Sequence, residues 1–203
     1  MNTPADIRVC FVGDSLVAGT GDPEHLGWVG RVCRRAAASG TELTAYNLGV
    51  SRETSADIAR RWVGECARRL PAGSQARVVF SFGVNDTTEI SGQPRVSAQD
   101  SAAHLKNMLA EAATRYAVAV IGPPPIEDVR QNQRIGALSA QFGLICNELA
   151  IAYLPVFESL AANPIWMRQV ANNDGAHPQA EGYAEFARLV MEWKHWWFRS
   201  NAS

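Results

Sequence analysis

The chain has 203 residues, 47% hydrophobic and 19% charged, the balance of an ordinary globular protein with one α/β domain over residues 1–203. Its 19 basic and 20 acidic side chains leave a formal net charge of -1, so no global field gathers nucleic acid or holds a stable membrane association. No uncharged run reaches the ~18 residues of a membrane span, and no basic stretch followed by an apolar segment opens the chain. A cytoplasmic address is expected from those two features by default, and the cysteines Cys10, Cys33, Cys66 and Cys146, which form no CxxC pair, are expected to be buried free thiols.

Ile7–Val12 is short, apolar and partly β-branched, and reads as a first strand. It leads into Gly13-Asp14-Ser15, and open α/β sheets place their ligand sites at the carboxyl ends of strands. The glycine-rich stretch from Gly13 to Gly30 lacks both the Gly-Lys-Ser/Thr ending of a phosphate loop and the spacing of a dinucleotide fingerprint. Trp28, Val32 and Ala36 then fall one helical turn apart. Leu43–Leu48 reads as a second strand. Thr54 and Ser55 cap a helix with Asp57 in its first turn and Ile58, Trp62 and Cys66 on one face. A third strand, Val78–Phe82, runs into Gly83-Val84-Asn85-Asp86, again a polar amide just past an apolar run.

Ser91–Arg95 reads as a loop, and Ser97 caps a helix that carries Asp100 three residues on and Leu105, Leu109 and Ala112 on one face. After a fourth strand at Ala117–Ile121, Gly122-Pro123-Pro124-Pro125 stiffens its loop and removes backbone donors, which suits a pocket wall. Ile151–Leu154 is a fifth strand. Trp166 either walls an acyl pocket or packs in the core. Asp174 and His177 stand three residues apart, and Pro178 suits the first turn of the last helix. Trp193, Trp196 and Trp197 share one face of a terminal helix, placed to dock on the sheet or, as a homo-oligomer contact, on a second subunit. Five strands alternating with about six helices imply a flavodoxin-like three-layer α/β/α sandwich, a five-stranded parallel sheet with helices on both faces.

Ser15 is inert as a nucleophile without a base, an orienter for that base, and donors for an oxyanion. His177 is the best base of the four histidines: His25 lies in a glycine-rich loop, His104 within a helix and His195 in the aromatic tail, none beside an orienting carboxylate. A turn of loop brings the Asp174 carboxylate to Nδ1 of His177 and leaves Nε2 for Ser15. The Asn85 amide and the Ser15 backbone N–H are candidate oxyanion donors. Two potential ligands, Asp174 and His177, make no metal site, and neither metal nor cofactor is implied.

In this combination and chain order the sequence resembles the SGNH subgroup of the GDSL esterase/lipase family over nearly its whole length. The resemblance is carried by Phe11-Val12-Gly13-Asp14-Ser15-Leu16, by Gly83-Val84-Asn85-Asp86, by Gly122-Pro123-Pro124-Pro125 and by Asp174-Gly175-Ala176-His177. It implies Ser15 as nucleophile, Asp174 and His177 as its partners, Asn85 as oxyanion donor, and small carboxylic esters, short-chain acyl or acetyl, as substrates. The family's block Asn-x-Gly-x-x-Gly-x-Thr aligns with Asn47 to Thr54, which puts Gly49 at the first glycine and Arg52 at the oxyanion glycine. Arginine also supplies a backbone N–H, and the geometry survives if the position does not need positive φ. Its guanidinium then either caps the pocket or pairs with an anionic substrate group, or else it turns to solvent or salt-bridges Glu53 or Asp57. Acyl transfer, thioester hydrolysis and lysophospholipid hydrolysis use the same residues. A non-catalytic ligand-binding protein on the same fold is the alternative that the Arg52 departure raises.

Overall fold

Apolar runs spaced by amphipathic helices pair into one parallel sheet in the computed structural model, which describes residues 6–199. In chain order the elements are β1 (Ile7–Gly13), α1 (Ser15–Ala18), α2 (Gly27–Ala38), β2 (Leu43–Gly49), α3 (Ser55–Ala67), β3 (Gln75–Ser81), β4 (Glu89–Ile90), β5 (Gln93–Pro94), α4 (Ala98–Ala112), β6 (Ala117–Ile121), α5 (Val129–Glu148), β7 (Ala152–Leu154), α6 (Phe157–Ala161), α7 (Pro164–Ala171) and α8 (Ala180–Glu192). The main sheet has the order β2-β1-β3-β6-β7, all parallel, while β4 and β5 form a separate antiparallel hairpin. Without the hairpin this is the 2-1-3-4-5 order of flavodoxin-like folds.

Alternate residues of the strands feed two cores. Val9, Phe11, Val79, Ala119 and Ile121 face Trp28, Val32, Trp166, Tyr183 and Phe186 from α2, α7 and α8. Cys10, Val12, Val78, Phe80 and Val120 face Ile58, Trp62, Leu105, Leu109 and Phe142 from α3, α4 and α5. Both faces are therefore covered, the condition for near-continuous apolar parallel strands. The anticipated caps form. Thr54 and Asp57 make a reciprocal capping box at α3, and Ser97 accepts from the Asp100 N–H at α4.

Several sequence expectations are corrected. The one-turn helices α1 and α6 raise the number above six, because segments that short carry no periodicity. Ser91–Arg95 contains a hairpin, turned by Ser91 (φ +54°) and Gly92 (φ +78°), the signs of a type I′ turn. The last helix starts at Ala180, so Pro178 precedes it. From Trp193 to Arg199 the chain is not helical, since Trp193 turns extended at φ -63°, ψ 126°. Trp193, Trp196 and Phe198 are instead buried on the chain's own core, Trp196 with its ring 6.4 Å from Phe11. The Arg77 guanidinium lies 5.4 Å from the Trp197 ring centroid and 4.8 Å from that of Phe198, at the amino end of the sheet. Those aromatics thus dock on the sheet, and they do not form the face of a helix offered to a second subunit. Among the described residues no helix is long and apolar enough to cross a membrane.

Candidate functional site

Neighbouring strands β1 and β3 send the chain out in different directions, which opens a crevice at their carboxyl ends. From β1 the path runs through α2 on one face to β2, and from β2 it returns through α3 on the other face to β3. Ligands of open α/β sheets bind at this switch point. Gly13 ends β1 so close to β3 that a Cβ would lie 2.0 Å from the Ser81 carbonyl oxygen. Asp14 then caps α1, its carboxylate accepting from the Leu16 N–H at 3.0 Å, and Ser15 is the first residue of that helix. The N–H groups of a first helical turn have no intrahelical acceptor. Leu16 is taken by Asp14, and the Ser15 N–H stands at the very start of the element, without an acceptor inside the helix.

The Asp174 loop is shaped by its own carboxylate. Oδ1 accepts from the N–H groups of Ala176 (3.0 Å) and His177 (2.8 Å), and Gly175 takes φ +81°. Oδ2 lies 2.7 Å from His177 Nδ1, and His177 Nε2 lies 2.7 Å from Ser15 Oγ. Residues at opposite ends of the chain are thus joined in one hydrogen-bonded relay. Asn173 Nδ2 donates to the His177 carbonyl at 3.0 Å, and the Glu127 N–H donates to the Gly175 carbonyl at 2.9 Å, tying the loop to the segment after β6. Burial works to raise the Asp174 carboxyl, but the hydrogen bonds from His177 and the Ala176 N–H outweigh it and hold the group below the usual carboxylate range.

Asn85 begins a 3₁₀ turn just past β3, and its Nδ2 donates to the Glu53 carbonyl at 2.9 Å with Asp14 Oδ2 3.5 Å away. An amide nitrogen has two donors, so the short bond to Glu53 fixes the orientation of the group and the second N–H makes only the long contact to Asp14. Asp86 is fully buried. It accepts from the Ser55 N–H at 2.7 Å and the Ser101 Oγ at 2.6 Å, pinning the Asn85 turn to the starts of α3 and α4. Gln131 Nε2 holds the same turn from α5 through the Val84 carbonyl at 3.0 Å. Burial raises the Asp86 carboxyl, and it pushes Asp14 up to about 7, the nearby Asp86 charge adding to the effect while the Leu16 N–H opposes it.

The turn after β2 completes the rim. The Val50 N–H donates to the Gly13 carbonyl at 3.0 Å, and the Glu53 N–H closes the turn onto the Val50 carbonyl at 3.4 Å. Arg52, third of its four residues, has φ +65°, the sign that a type II turn demands and that glycine meets most easily. The condition under which arginine would be conformationally neutral here is therefore not met.

The sequence profile of the GDSL-like Lipase/Acylhydrolase family matches residues 11–185, a span that contains every residue of this site. The chain belongs to the GDSL-like lipase/acylhydrolase family. Membership makes it a carboxylic ester hydrolase by class. Its fold is similar to that of a lipase/acylhydrolase from Enterococcus faecalis (22% identity, 91% of this chain and 93% of the other, TM-score 0.74). It is also similar to Axe2, an acetylxylan esterase from Geobacillus stearothermophilus (18% identity, 94% and 95% coverage, TM-score 0.75). TesA is a third similar structure, at 25% identity, 90% and 95% coverage and TM-score 0.73. No curated protein sequence matches significantly.

Two candidates of this GDSL-family site need correction. Trp166 has no exposed surface: its Nε1 donates to the Pro125 carbonyl at 3.0 Å and its ring packs edge-on to Tyr183 and Phe186, so it is core and has no face for a substrate. The proline loop it holds is buried with it. Gly49 already donates its N–H to Asn47 Oδ1 at 3.0 Å and is no free oxyanion donor. Its lack of a side chain serves close packing instead, since a Cβ would meet the Ala18 nitrogen at 2.2 Å. Of the other histidines, His104 is bonded through Nδ1 to Ser55 Oγ (2.9 Å), while His25 and His195 are exposed. The sequence reading missed the supporting residues Asp14, Glu53 and Asp86. Asp14 was legible as a helix cap; the partners of Asp86, 31 and 15 residues away, left no local trace.

Proposed function

We propose that the protein is a serine esterase of small carboxylic esters, short-chain acyl or acetyl, working through an acyl-enzyme on the single domain expected for residues 1–203. Ser15 Oγ attacks the ester carbonyl while His177 Nε2 takes its proton, and Asp174 holds the imidazole in the required tautomer and balances its positive charge. The tetrahedral oxyanion is held by the Ser15 N–H, the Asn85 Nδ2 N–H that exchanges its long 3.5 Å contact to Asp14 for the oxyanion, and the Arg52 N–H. Collapse breaks the bond to the alcohol oxygen, which leaves with the proton from His177. His177 then takes a proton from water as the hydroxide attacks the acyl carbonyl, and a second collapse returns Ser15 and releases the acid.

The observation that carries this reading is the relay itself, two 2.7 Å contacts linking Ser15 Oγ, His177 and Asp174. The acetylxylan esterase among the similar folds supports acetyl esters as the first compounds to try. A panel of p-nitrophenyl and sugar esters, varied in acyl length and run beside Ser15→Ala, tests it. The proposal expects turnover that falls with acyl length and disappears in the variant. Turnover that survives Ser15→Ala, or none on any ester, overturns it.

A further inference from the structure

Arg52 holds an awkward backbone conformation with a side chain that no other described residue bonds. Its φ of +65° is one that side chains bearing a Cβ disfavour, and the residue is exposed. Both acidic neighbours within reach along the sequence are already spent. Glu53 gives its carboxylate to Arg61 Nε at 2.7 Å. Asp57 accepts from the Thr54 N–H at 2.9 Å and pairs with Arg60. Among the described residues no carboxylate lies within ion-pair distance of Arg52. Arg61, by contrast, is fully used, its Nη2 donating to the Gly13 and Leu48 carbonyls at 3.1 and 2.9 Å.

The turn carrying Arg52 is bonded to both walls of the crevice. Two residues before it, Val50 donates to the carbonyl of Gly13 on the Ser15 side. One residue after it, the Glu53 carbonyl is the acceptor that orients Asn85. A free guanidinium is thereby rooted beside the proposed reacting atoms, with the half-exposed Val50 next to it. The exposed Glu127 lies in the loop after β6, three strands along the sheet and so roughly 14 Å away, and does not balance this charge.

We infer that Arg52 is a specificity-determining residue whose guanidinium binds a carboxylate or phosphate on the substrate, so that the preferred substrates are acidic esters. The inference rests on the esterase reading above. A guanidinium matches either anion with two parallel N–H donors, and such charge-assisted bonds exceed neutral ones in strength.

Two substrate pairs test it, each differing by one carboxylate: p-nitrophenyl butyrate against mono-p-nitrophenyl succinate for the acyl side, and phenyl acetate against 4-carboxyphenyl acetate for the alcohol side. The quantity read is the acidic-to-neutral ratio of kcat/KM in wild type, Arg52→Gly and Arg52→Lys. The ratio should fall about tenfold or more in Arg52→Gly for at least one pair, recover in part in Arg52→Lys, and shrink in wild type as salt is raised. A ratio unchanged by Arg52→Gly in both pairs overturns the inference and leaves the esterase reading intact. Should the wild type hydrolyse none of these esters, the esterase reading fails, and calorimetric binding of 4-carboxyphenyl acetate decides the role of Arg52 alone. Binding about tenfold weaker in Arg52→Gly supports it; equal affinity, or no binding by either protein, overturns it.

Discussion

The two ends of the parallel sheet are built on opposite terms. At the carboxyl ends of β1, β2 and β3 the chain buries the carboxyls of Asp14 and Asp86, holds Arg52 at φ +65°, and gathers Ser15, His177 and Asp174 into one hydrogen-bonded relay. At the amino ends it buries Trp193, Trp196 and Phe198 and stacks Arg77 over the terminal rings. One end carries strained backbone and desolvated acids that weaken the fold, and the other carries apolar and cation–π contacts that strengthen it. Natural sequences break local rules at functional sites and compensate elsewhere. On the proposed function, activity belongs to one end and stability to the other, so substitutions at each end should separate the two properties.

The largest expected effect lies in the relay. Ser15→Ala and His177→Ala should each lower kcat by roughly 10⁴–10⁶-fold with little change in unfolding free energy, read by steady-state kinetics beside urea denaturation. At the other end, Trp196→Ala should destabilise the protein by about 3–5 kcal/mol while the folded fraction keeps its kcat within a few-fold. A large kcat loss there would break the division between the two ends.

Asp14 sharpens the comparison through pH. Its carboxyl is pushed up to about 7 in the folded chain, against about 3.9 in an unfolded one. The folded state therefore holds the proton more tightly, and the stability that this provides is complete below about pH 4 and lost as pH rises to about 7. Wild type should lose up to about 4 kcal/mol relative to Asp14→Asn across that window, measured by urea unfolding at several pH values. Parallel profiles would show that burial of this acid has no such consequence. The smallest effect is at Arg52. Arg52→Gly should raise stability by about 1 kcal/mol, a gain of about 2–4 °C in melting temperature, because glycine relieves the left-handed backbone.

The sequence made the layered fold legible because its strands are apolar runs and its helices keep a 3.6-residue stripe, as at Ile58, Trp62 and Cys66. Asp174 and His177 were legible for a different reason: their pairing is local, three residues apart, within a turn that the carboxylate itself organises. Long-range placement was less so. Trp166 offered the same signal whether it lined a pocket or the core, and only its full burial against Tyr183 and Phe186 decides. The aromatic tail matched helical spacing, but its rings meet the sheet from irregular backbone, where tertiary contact overrides periodicity. Positive φ at Arg52 had no local signal of its own, since arginine does not advertise a left-handed turn in the way glycine does.

The central claim is that Ser15 is activated by His177. It is tested most directly by intact-mass analysis of wild type, Ser15→Ala and His177→Ala after exposure to a fluorophosphonate. The account predicts one adduct on wild type, mapped to Ser15, none on Ser15→Ala, and labelling slowed by orders of magnitude in His177→Ala. An unlabelled wild type, or a His177→Ala protein labelled at the wild-type rate, would contradict it.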